Sequence, residues 1–212
     1  MINLRIDRKK LRVEDGQSIL EAAMDAGIKI PTLCHHPALE PVGACRLCTV
    51  EVTQGGRTFH AASCVTPVAE GMVVRTDTKT VREIRRTILD LLMSKCPEVR
   101  VLRELGAPLG LTEPSYPVED GICFLCGICV RACREIVGAE AISIADRGSE
   151  SQVVPPFATP SARCISCGTC TTVCPARTFD LKKVESLRTM HGEGGDVRVR
   201  KCVVCEEHYS GP

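Results

Sequence analysis

The stretches ICFLCGICVRACREIVGAEAI (122–142) and RCISCGTCTTVCPARTF (163–179) carry the same cysteine spacing at a constant offset along the chain. Each reads C-x2-C-x2-C-x3-C, and the two runs comprise Cys123, Cys126, Cys129 and Cys133, then Cys164, Cys167, Cys170 and Cys174. Short spacers wrap the backbone around one centre, so thiols in this pattern indicate metal ligation.

This spacing is typical of bacterial ferredoxins that hold two 4Fe–4S clusters, in which the fourth cysteine of each run binds the other cluster. We therefore assign one cluster to Cys123, Cys126, Cys129 and Cys174. The second takes Cys133, Cys164, Cys167 and Cys170. The alternatives are a zinc site or a disulfide framework, but zinc usually takes two CxxC pairs rather than two runs of four cysteines.

A second group of four cysteines lies near the N-terminus, with the spacing C-x10-C-x2-C-x15-C. Its members are Cys34, Cys45, Cys48 and Cys64. Plant-type 2Fe–2S ferredoxins also combine a CxxC pair with a distant fourth cysteine, although their first gap is shorter. The pattern predicts one 2Fe–2S cluster, and a four-cysteine zinc site is the weaker alternative.

The elements predicted around this group follow the order of a β-grasp fold. Alternation predicts a hairpin over 2–13 with a turn at Lys9-Lys10, and Ser18 with Glu21 forms a capping box for a helix that stops at Gly27. Further strands are predicted at Val50 and Val52, over 57–63 and over 71–76.

The complete prediction is an α+β chain with four parts. They are a β-grasp 2Fe–2S domain (1–77), a helical linker (78–116), a bacterial-type ferredoxin domain with two 4Fe–4S clusters (117–182) and a tail with a CxxC pair (183–212). The linker helix should be amphipathic, with an apolar face made of Val81, Ile84, Ile88, Leu91 and Leu92.

Composition excludes several classes of function. The formal net charge is +1, the 27 Lys and Arg residues are scattered, and Trp is absent, so a nucleic-acid partner is not expected. No apolar run is long enough to span a membrane. The polar N-terminus does not resemble a signal peptide, so the 15 cysteines indicate a reduced, cytoplasmic metal protein.

These motifs resemble the N-terminal iron–sulfur region of the large subunit of respiratory complex I. The same region occurs in the small diaphorase subunit of NAD-reducing hydrogenases and in iron-only hydrogenases. The matching stretches are PTLCHHP (31–37), GACRLCTVEV (43–52), AASCVTPVAEGMVVRTDT (61–78) and the two cysteine runs.

One departure from these relatives concerns the helix after the 2Fe–2S domain. In the relatives it leads to a further 4Fe–4S site with one histidine and three cysteines. Here Cys96 is the only candidate ligand in that segment, so this cluster is expected to be absent.

The resemblance implies a non-catalytic electron-transfer subunit of a soluble, hetero-oligomeric oxidoreductase. Its partners would be a flavin- and NAD(P)-binding subunit and a further redox subunit of hydrogenase, formate dehydrogenase or electron-bifurcating type. The alternative is a free-standing multi-cluster ferredoxin that shuttles electrons between enzymes. Small shuttles of this kind are usually markedly acidic, and the near-neutral charge favours the fixed subunit.

Three cysteines are left over: Cys96, Cys202 and Cys205. Cys202 and Cys205 form a CxxC pair, and His208 follows three residues later. The pair could hold zinc or a further cluster, with Cys96 and His208 as additional ligands. The plain alternative is a pair of reduced thiols, with Cys96 buried as a small apolar residue.

Overall fold

The computed structural model describes residues 1–158 and 161–178, together with the backbone of 200–201 and 208–209. Contacts divide the chain into two compact units. The first contains Met1–His35 and Pro41–Phe124, and the second contains His36–Glu40 and the described residues from Leu125 onward. The domain boundaries predicted at 77/78, 116/117 and 182/183 stay predictions.

The first unit is built on a mixed five-stranded sheet. In chain order the strands are β1 (Ile2–Ile6), β2 (Lys9–Val13), β3 (Thr49–Gln54), β4 (Arg57–Ala62) and β5 (Val73–Arg75). Their order across the sheet is β2-β1-β5-β3-β4. Only β1 and β5 pair in parallel, and the other neighbours are antiparallel.

The predicted hairpin is confirmed, but its turn was predicted at the wrong place. Lys9 and Lys10 belong to β2, where they pair with Ile6 and Arg5. The turn lies earlier in the chain, between the end of β1 and the start of β2, and it begins at Asp7, which has a positive φ of 52°. Consecutive lysines on an exposed edge strand look like a polar turn in sequence, because both side chains are solvated.

The helix α1 (Ile19–Asp25) covers one face of this sheet and begins at the predicted capping box. The Ser18 amide donates to Glu21 Oε2 at 2.7 Å, and the Glu21 amide donates to Ser18 Oγ at 3.2 Å. Gly27, with a φ of 69°, follows the last turn. The helix buries Ile19, Leu20, Ala22 and Ala23 against the inward residues of the strands.

Two helices complete the first unit, namely α2 (Lys79–Lys95) and α3 (Arg100–Gly106), which is followed by a 3-10 turn (Ala107–Leu109). The amphipathic character of α2 is confirmed, but its buried face is rotated from the predicted one. The buried positions are Val81, Arg85, Leu89, Asp90, Met93 and Ser94, while Leu91 is exposed.

The second unit contains short elements around the two cysteine runs, of which only Cys123 belongs to the first unit. They are α4 (Ile128–Arg131) with a π-helical turn (Ala132–Ile136), the antiparallel pair β6 (Ser143–Ala145) and β7 (Gln152–Val154), and α5 (Thr169–Thr172). Two further strands, β8 (Arg200–Lys201) and β9 (His208–Tyr209), pair with each other. The α+β fold class is therefore confirmed.

A small apolar cluster forms the interior of this second unit. Leu39, Ile128 and Ala132 are buried together, and Val173 packs against them. The segment 36–40 reaches the cluster through its backbone as well, since Arg131 donates to the Glu40 carbonyl at 2.6 Å. Among the described helices, none is both long and apolar enough to cross a membrane.

Candidate metal centres

The first unit brings the four N-terminal cysteines into one region. Cys34 follows α1, Cys45 and Cys48 lie in the loop before β3, and Cys64 comes shortly after β4. The side chains of Cys34, Cys48 and Cys64 are buried, and Cys45 is half-buried. None of the four forms a disulfide.

These thiols are arranged as two pairs. The Sγ atoms of Cys48 and Cys64 lie 3.4 Å apart. A hydrogen bond joins the thiols of Cys34 and Cys45, and the Cys45 amide donates to Cys34 Sγ at 3.3 Å. Two metal–sulfur bonds of tetrahedral geometry place their sulfurs about 3.8 Å apart, so each pair fits two ligands of one metal atom.

Each pair contains one acidified thiol. The hydrogen bond from Cys34 lowers the pKa of Cys45 to about 5, against the opposing effect of burial. In the same way, the hydrogen bond with Cys64 lowers the pKa of Cys48 to about 6. The pKa values of the partner thiols, Cys34 and Cys64, are raised by the same side-chain hydrogen bonds and by burial. The pairs can therefore deliver thiolates, the form that binds metal.

Backbone amides converge on this site from the loop that precedes Cys45. Gly43 adopts a φ of 62°, and a Cβ there would lie 3.0 Å from Val65 Cγ2. The amides of Ala44 and Cys45 both point at the Cys34 sulfur. Amide donors stabilise negative charge on sulfur, and they tune the properties of a bound cluster.

The paired arrangement matches what a two-iron cluster needs. Such a cluster takes two thiolates at each of two iron atoms, and Cys34 with Cys45 and Cys48 with Cys64 offer two pairs of thiols. Within the described part of the chain, no three His, Cys, Asp or Glu side chains converge on one position that could hold a single metal ion.

Sequence reasoning missed one residue beside this site, Arg85 on α2. Its guanidinium is buried and donates to the carbonyls of Leu47 and Thr49, the two neighbours of Cys48 in the chain. The available signal was a charged residue four positions after the buried Val81, on what periodicity makes an apolar face.

The two cysteine runs, which belong to the second unit except for Cys123, share a backbone conformation. Leu125 and Ser166 both have a φ of 55°, and Gly127 and Gly168 have φ values of 72° and 73°. Each glycine then caps a short helix, α4 in the first copy and α5 in the second. The repeated spacing therefore corresponds to a repeated local structure, with left-handed residues that let the loop turn tightly around its thiols.

The structure brings Cys170 close to three other thiols of the second predicted ligand set. Burial is the main reason that the pKa of Cys170 is raised to about 11, and charges on Cys167, Cys164 and Cys133 add to it. Cys133, the last cysteine of the first run, thus lies close enough to Cys170 of the second run for their charges to interact. Both ligand sets, Cys123, Cys126, Cys129 and Cys174, and Cys133, Cys164, Cys167 and Cys170, stay predictions.

Hydrogen bonds reach two of these sulfurs from their own surroundings. The Ala141 amide donates to Cys133 Sγ at 3.3 Å. Cys167 Sγ and Thr169 Oγ1 are also 3.3 Å apart and hydrogen-bonded. When Cys167 is a thiolate, the hydroxyl can act as the donor, because a hydroxyl offers both roles.

The two runs differ after their fourth cysteine. Pro175 follows Cys174, and α5 ends before it at Thr172. In the first run Arg134 takes the equivalent place, and the helix continues through the π-helical turn over Ala132–Ile136. Proline lacks an amide hydrogen and disfavours helix at the preceding residue, which explains the earlier stop in the second copy.

The remaining cysteines have separate outcomes. Cys202 and Cys205 lie outside the described residues, and His208 is described only through its backbone in β9.

Cys96 is fully buried at the end of α2, where burial is the main cause that raises its pKa to about 11. Gly121 packs against it so closely that a Cβ would lie 2.4 Å from the Lys95 carbonyl oxygen. This burial is typical of a cysteine that packs as a small apolar residue, and a role of Cys96 as a metal ligand stays a prediction.

Family models agree with the two kinds of cysteine pattern. A 2Fe–2S iron–sulfur cluster binding domain matches residues 1–79. Two models described as 4Fe–4S dicluster domains match residues 122–178 and 159–208, so they overlap at the second cysteine run.

Curated relatives are similar over most of this chain. A G-type subunit of the NADH-quinone oxidoreductase of Rhizobium meliloti is 32% identical over 94% of the chain and 28% of its own length. The alpha subunit of the NADPH-Fe(3+) oxidoreductase of Geobacter sulfurreducens is 31% identical over 84% of the chain and 24% of its own length. The chain thus spans only about a quarter of these relatives.

A solved structure matches at nearly full length. One chain of an NAD+-reducing NiFe-hydrogenase in the H2-reduced state is 30% identical, with a TM-score of 0.68. The match covers 82% of this chain and 84% of that one. The protein therefore belongs to the family of iron–sulfur proteins with an N-terminal 2Fe–2S domain followed by 4Fe–4S dicluster domains, which includes G-type subunits of NADH-quinone oxidoreductase, the alpha subunit of NADPH-Fe(3+) oxidoreductase and hydrogenase subunits.

Proposed function

We propose that this protein is the electron-transfer subunit of a multi-subunit, NAD(P)-linked oxidoreductase in the cytoplasm. The observation that carries the proposal is the arrangement of the four N-terminal thiols as two pairs, Cys34 with Cys45 and Cys48 with Cys64. Two pairs of thiolates suit a cluster whose chemistry is one-electron transfer.

The proposed ligand sets are those derived from the spacing. Cys34, Cys45, Cys48 and Cys64 would hold a 2Fe–2S cluster. Two 4Fe–4S clusters would be held by Cys123, Cys126, Cys129 and Cys174, and by Cys133, Cys164, Cys167 and Cys170. The chain's own part is to orient the thiolates, supply amide donors and exclude water from the buried sulfurs.

Partner subunits would supply the chemistry that this chain lacks. The sequence contains no glycine-rich dinucleotide motif after a strand and no phosphate-binding loop. The relatives carry names linked to NADH, NADPH and hydrogenase activity. We therefore infer a flavin- and NAD(P)-binding partner and a further redox subunit of hydrogenase, formate dehydrogenase or electron-bifurcating type.

The proposal is tested by anaerobic affinity purification of the tagged chain from its native host at low ionic strength. We expect stoichiometric co-purification of a flavin-containing subunit, NAD(P)H-dependent dye reduction by the complex, and none by the separated chain. Elution of an iron-loaded chain alone would instead support the free-standing ferredoxin. Dye reduction by the separated chain would contradict a non-catalytic role.

A further metal at the C-terminal CxxC pair stays a prediction. It is tested by the metal content of a Cys202→Ser, Cys205→Ser double variant against the parent chain. Loss of zinc, or of about four irons, would support a site there. Unchanged zinc and iron would remove it, and a Cys96→Ser variant tests in the same way whether Cys96 contributes.

A further inference from the structure

Arg85 is a charged side chain at a position where the helix needs an apolar one. It lies on the same face of α2 as the buried Val81 and Leu89, and only 7% of the Arg85 surface is exposed. Burial of a charge is costly unless it is compensated by hydrogen bonds. Two backbone carbonyls provide these hydrogen bonds. Arg85 Nε donates to the Leu47 carbonyl at 3.1 Å, and Arg85 Nη2 donates to the Thr49 carbonyl at 2.9 Å.

The two carbonyls belong to the neighbours of Cys48. Cys48 is itself buried, and its sulfur lies 3.4 Å from that of Cys64. The guanidinium therefore holds the backbone on both sides of one proposed cluster ligand. Burial lowers the pKa of Arg85, and the negative charges of Asp77, Cys48 and Asp7 oppose that shift.

Two carboxylates also face Arg85, but each has another partner. Asp77 accepts a hydrogen bond from Arg82 Nε at 2.6 Å. Asp7 accepts from the amide and the hydroxyl of Thr76, at 2.8 and 2.7 Å. Since a guanidinium stays protonated throughout the accessible pH range, Arg85 provides a constant positive charge beside Cys48.

We propose that Arg85 is a positioning residue that raises the reduction potential of the 2Fe–2S centre. Reduction adds one negative charge to the cluster and its thiolates. A nearby buried cation stabilises that added charge more than it stabilises the oxidised state, because the interior screens charge poorly. This inference rests on the proposed ligands Cys34, Cys45, Cys48 and Cys64.

The test is an EPR-monitored redox titration of the full chain, at a temperature where the fast-relaxing 4Fe–4S signals are broadened. The variant is Arg85→Met, which keeps most of the side-chain volume and removes the charge. We expect at least a tenfold lower ratio of reduced to oxidised 2Fe–2S cluster at the same ambient potential. For one electron, that corresponds to a midpoint about 59 mV lower.

Arg86→Met is the matched control, because it removes the same charge from the next position of α2, where the side chain is exposed. Its midpoint should stay near that of the parent chain. The Arg85 effect should persist at high salt, since a buried charge is screened much less than an exposed one. Arg85→Lys keeps the charge without the planar fork, and its midpoint should lie between those of the parent and Arg85→Met.

The outcomes separate this inference from the proposed function. A parent chain without a 2Fe–2S EPR signal would refute the ligand set itself. A normal signal with equal midpoints in Arg85→Met and Arg86→Met would overturn the role of Arg85 alone. If Arg85→Met does not load its cluster, Arg85→Gln, which retains a donor for one carbonyl, replaces it. Loss of the cluster in all three Arg85 variants, with Arg86→Met loaded, would show a purely structural role and also overturn the inference.

Discussion

The sulfur atoms of Cys48 and Cys64 lie 3.4 Å apart although the two residues flank different strands of the sheet. The register of β3 and β4 brings them together, because Thr49 pairs with Ala62 and the Ser63 amide donates to the Cys48 carbonyl at 3.2 Å. The separation is far longer than a disulfide bond of about 2.05 Å, and it suits two thiolates on one metal atom.

Cys64→Ser should remove the 2Fe–2S centre and leave the two 4Fe–4S clusters in place. A serine hydroxyl is a poor substitute for a thiolate, so one iron loses a ligand of its pair. The parent chain should contain about ten irons, and the variant about two fewer, without a 2Fe–2S EPR signal. Iron and sulfide analysis of anaerobically purified protein, together with EPR, measures both.

Cys96→Ser is the control for that experiment, since Cys96 is also a buried cysteine of the first unit but is not one of the pairs. It should keep the 2Fe–2S EPR signal, whether or not Cys96 contributes to a further metal site. Loss of that signal in both variants would mean that general unfolding, rather than ligand loss, explains the result for Cys64→Ser.

Cys133→Ala should damage the cluster of the other run rather than that of its own. The reason is its electrostatic proximity to Cys170, together with the ligand exchange expected from the spacing. After reduction with dithionite, Cys133→Ala and Cys167→Ala should leave the same 4Fe–4S EPR signal. Cys126→Ala should leave a different one. A match between Cys133→Ala and Cys126→Ala would reverse the assignment.

The capping box of α1 should be visible in stability and in the titration of Glu21. Ser18→Ala removes an acceptor for the helix amides and should cost about 1 kcal/mol of unfolding free energy. The exposed substitution Lys29→Ala should cost less than about 0.5 kcal/mol. Urea unfolding followed by circular dichroism under anaerobic conditions compares the two variants, and equal midpoints would contradict the role of the cap.

The pKa of Glu21 is lowered, mainly by the hydrogen bond from the Ser18 amide and then by the Ser18 hydroxyl. The stabilisation from this carboxylate is therefore present above the pKa of the unfolded chain and is lost as pH falls through the lowered folded value. Carbon-detected NMR titration should show a Glu21 pKa below the ordinary range, and a return toward it in Ser18→Ala.

Iron removal should unfold much of this protein. Cys34, Cys48 and Cys64 are buried with no disulfide to join them, and metal binding to such thiolates is coupled to folding. Anaerobic treatment with a chelator and a mild oxidant should reduce the helical circular dichroism signal and open the chain to proteolysis. An apo-protein with unchanged circular dichroism and protease resistance would show that the apolar core suffices.

The sequence by itself determined the parts of this protein that depend on local spacing. Short gaps between cysteines define the two repeated runs, alternation defines the hairpin, and Ser18 with Glu21 defines the start of α1, because each needs only neighbours within a few residues. The nearly equal φ angles of Gly127 and Gly168 show that the repeated spacing also encodes a repeated backbone.

Only the tertiary structure decided which distant groups meet. Periodicity marks α2 as amphipathic, but the surface that covers it selects Arg85 and Leu89 as buried positions and leaves Leu91 exposed. The pairing of Cys48 with Cys64 depends on strand register, and the fit of Arg85 to the Leu47 and Thr49 carbonyls depends on how α2 packs. Such contacts join residues far apart in the chain, so their geometry is set by packing and hydrogen-bond satisfaction across the whole unit rather than by any local pattern.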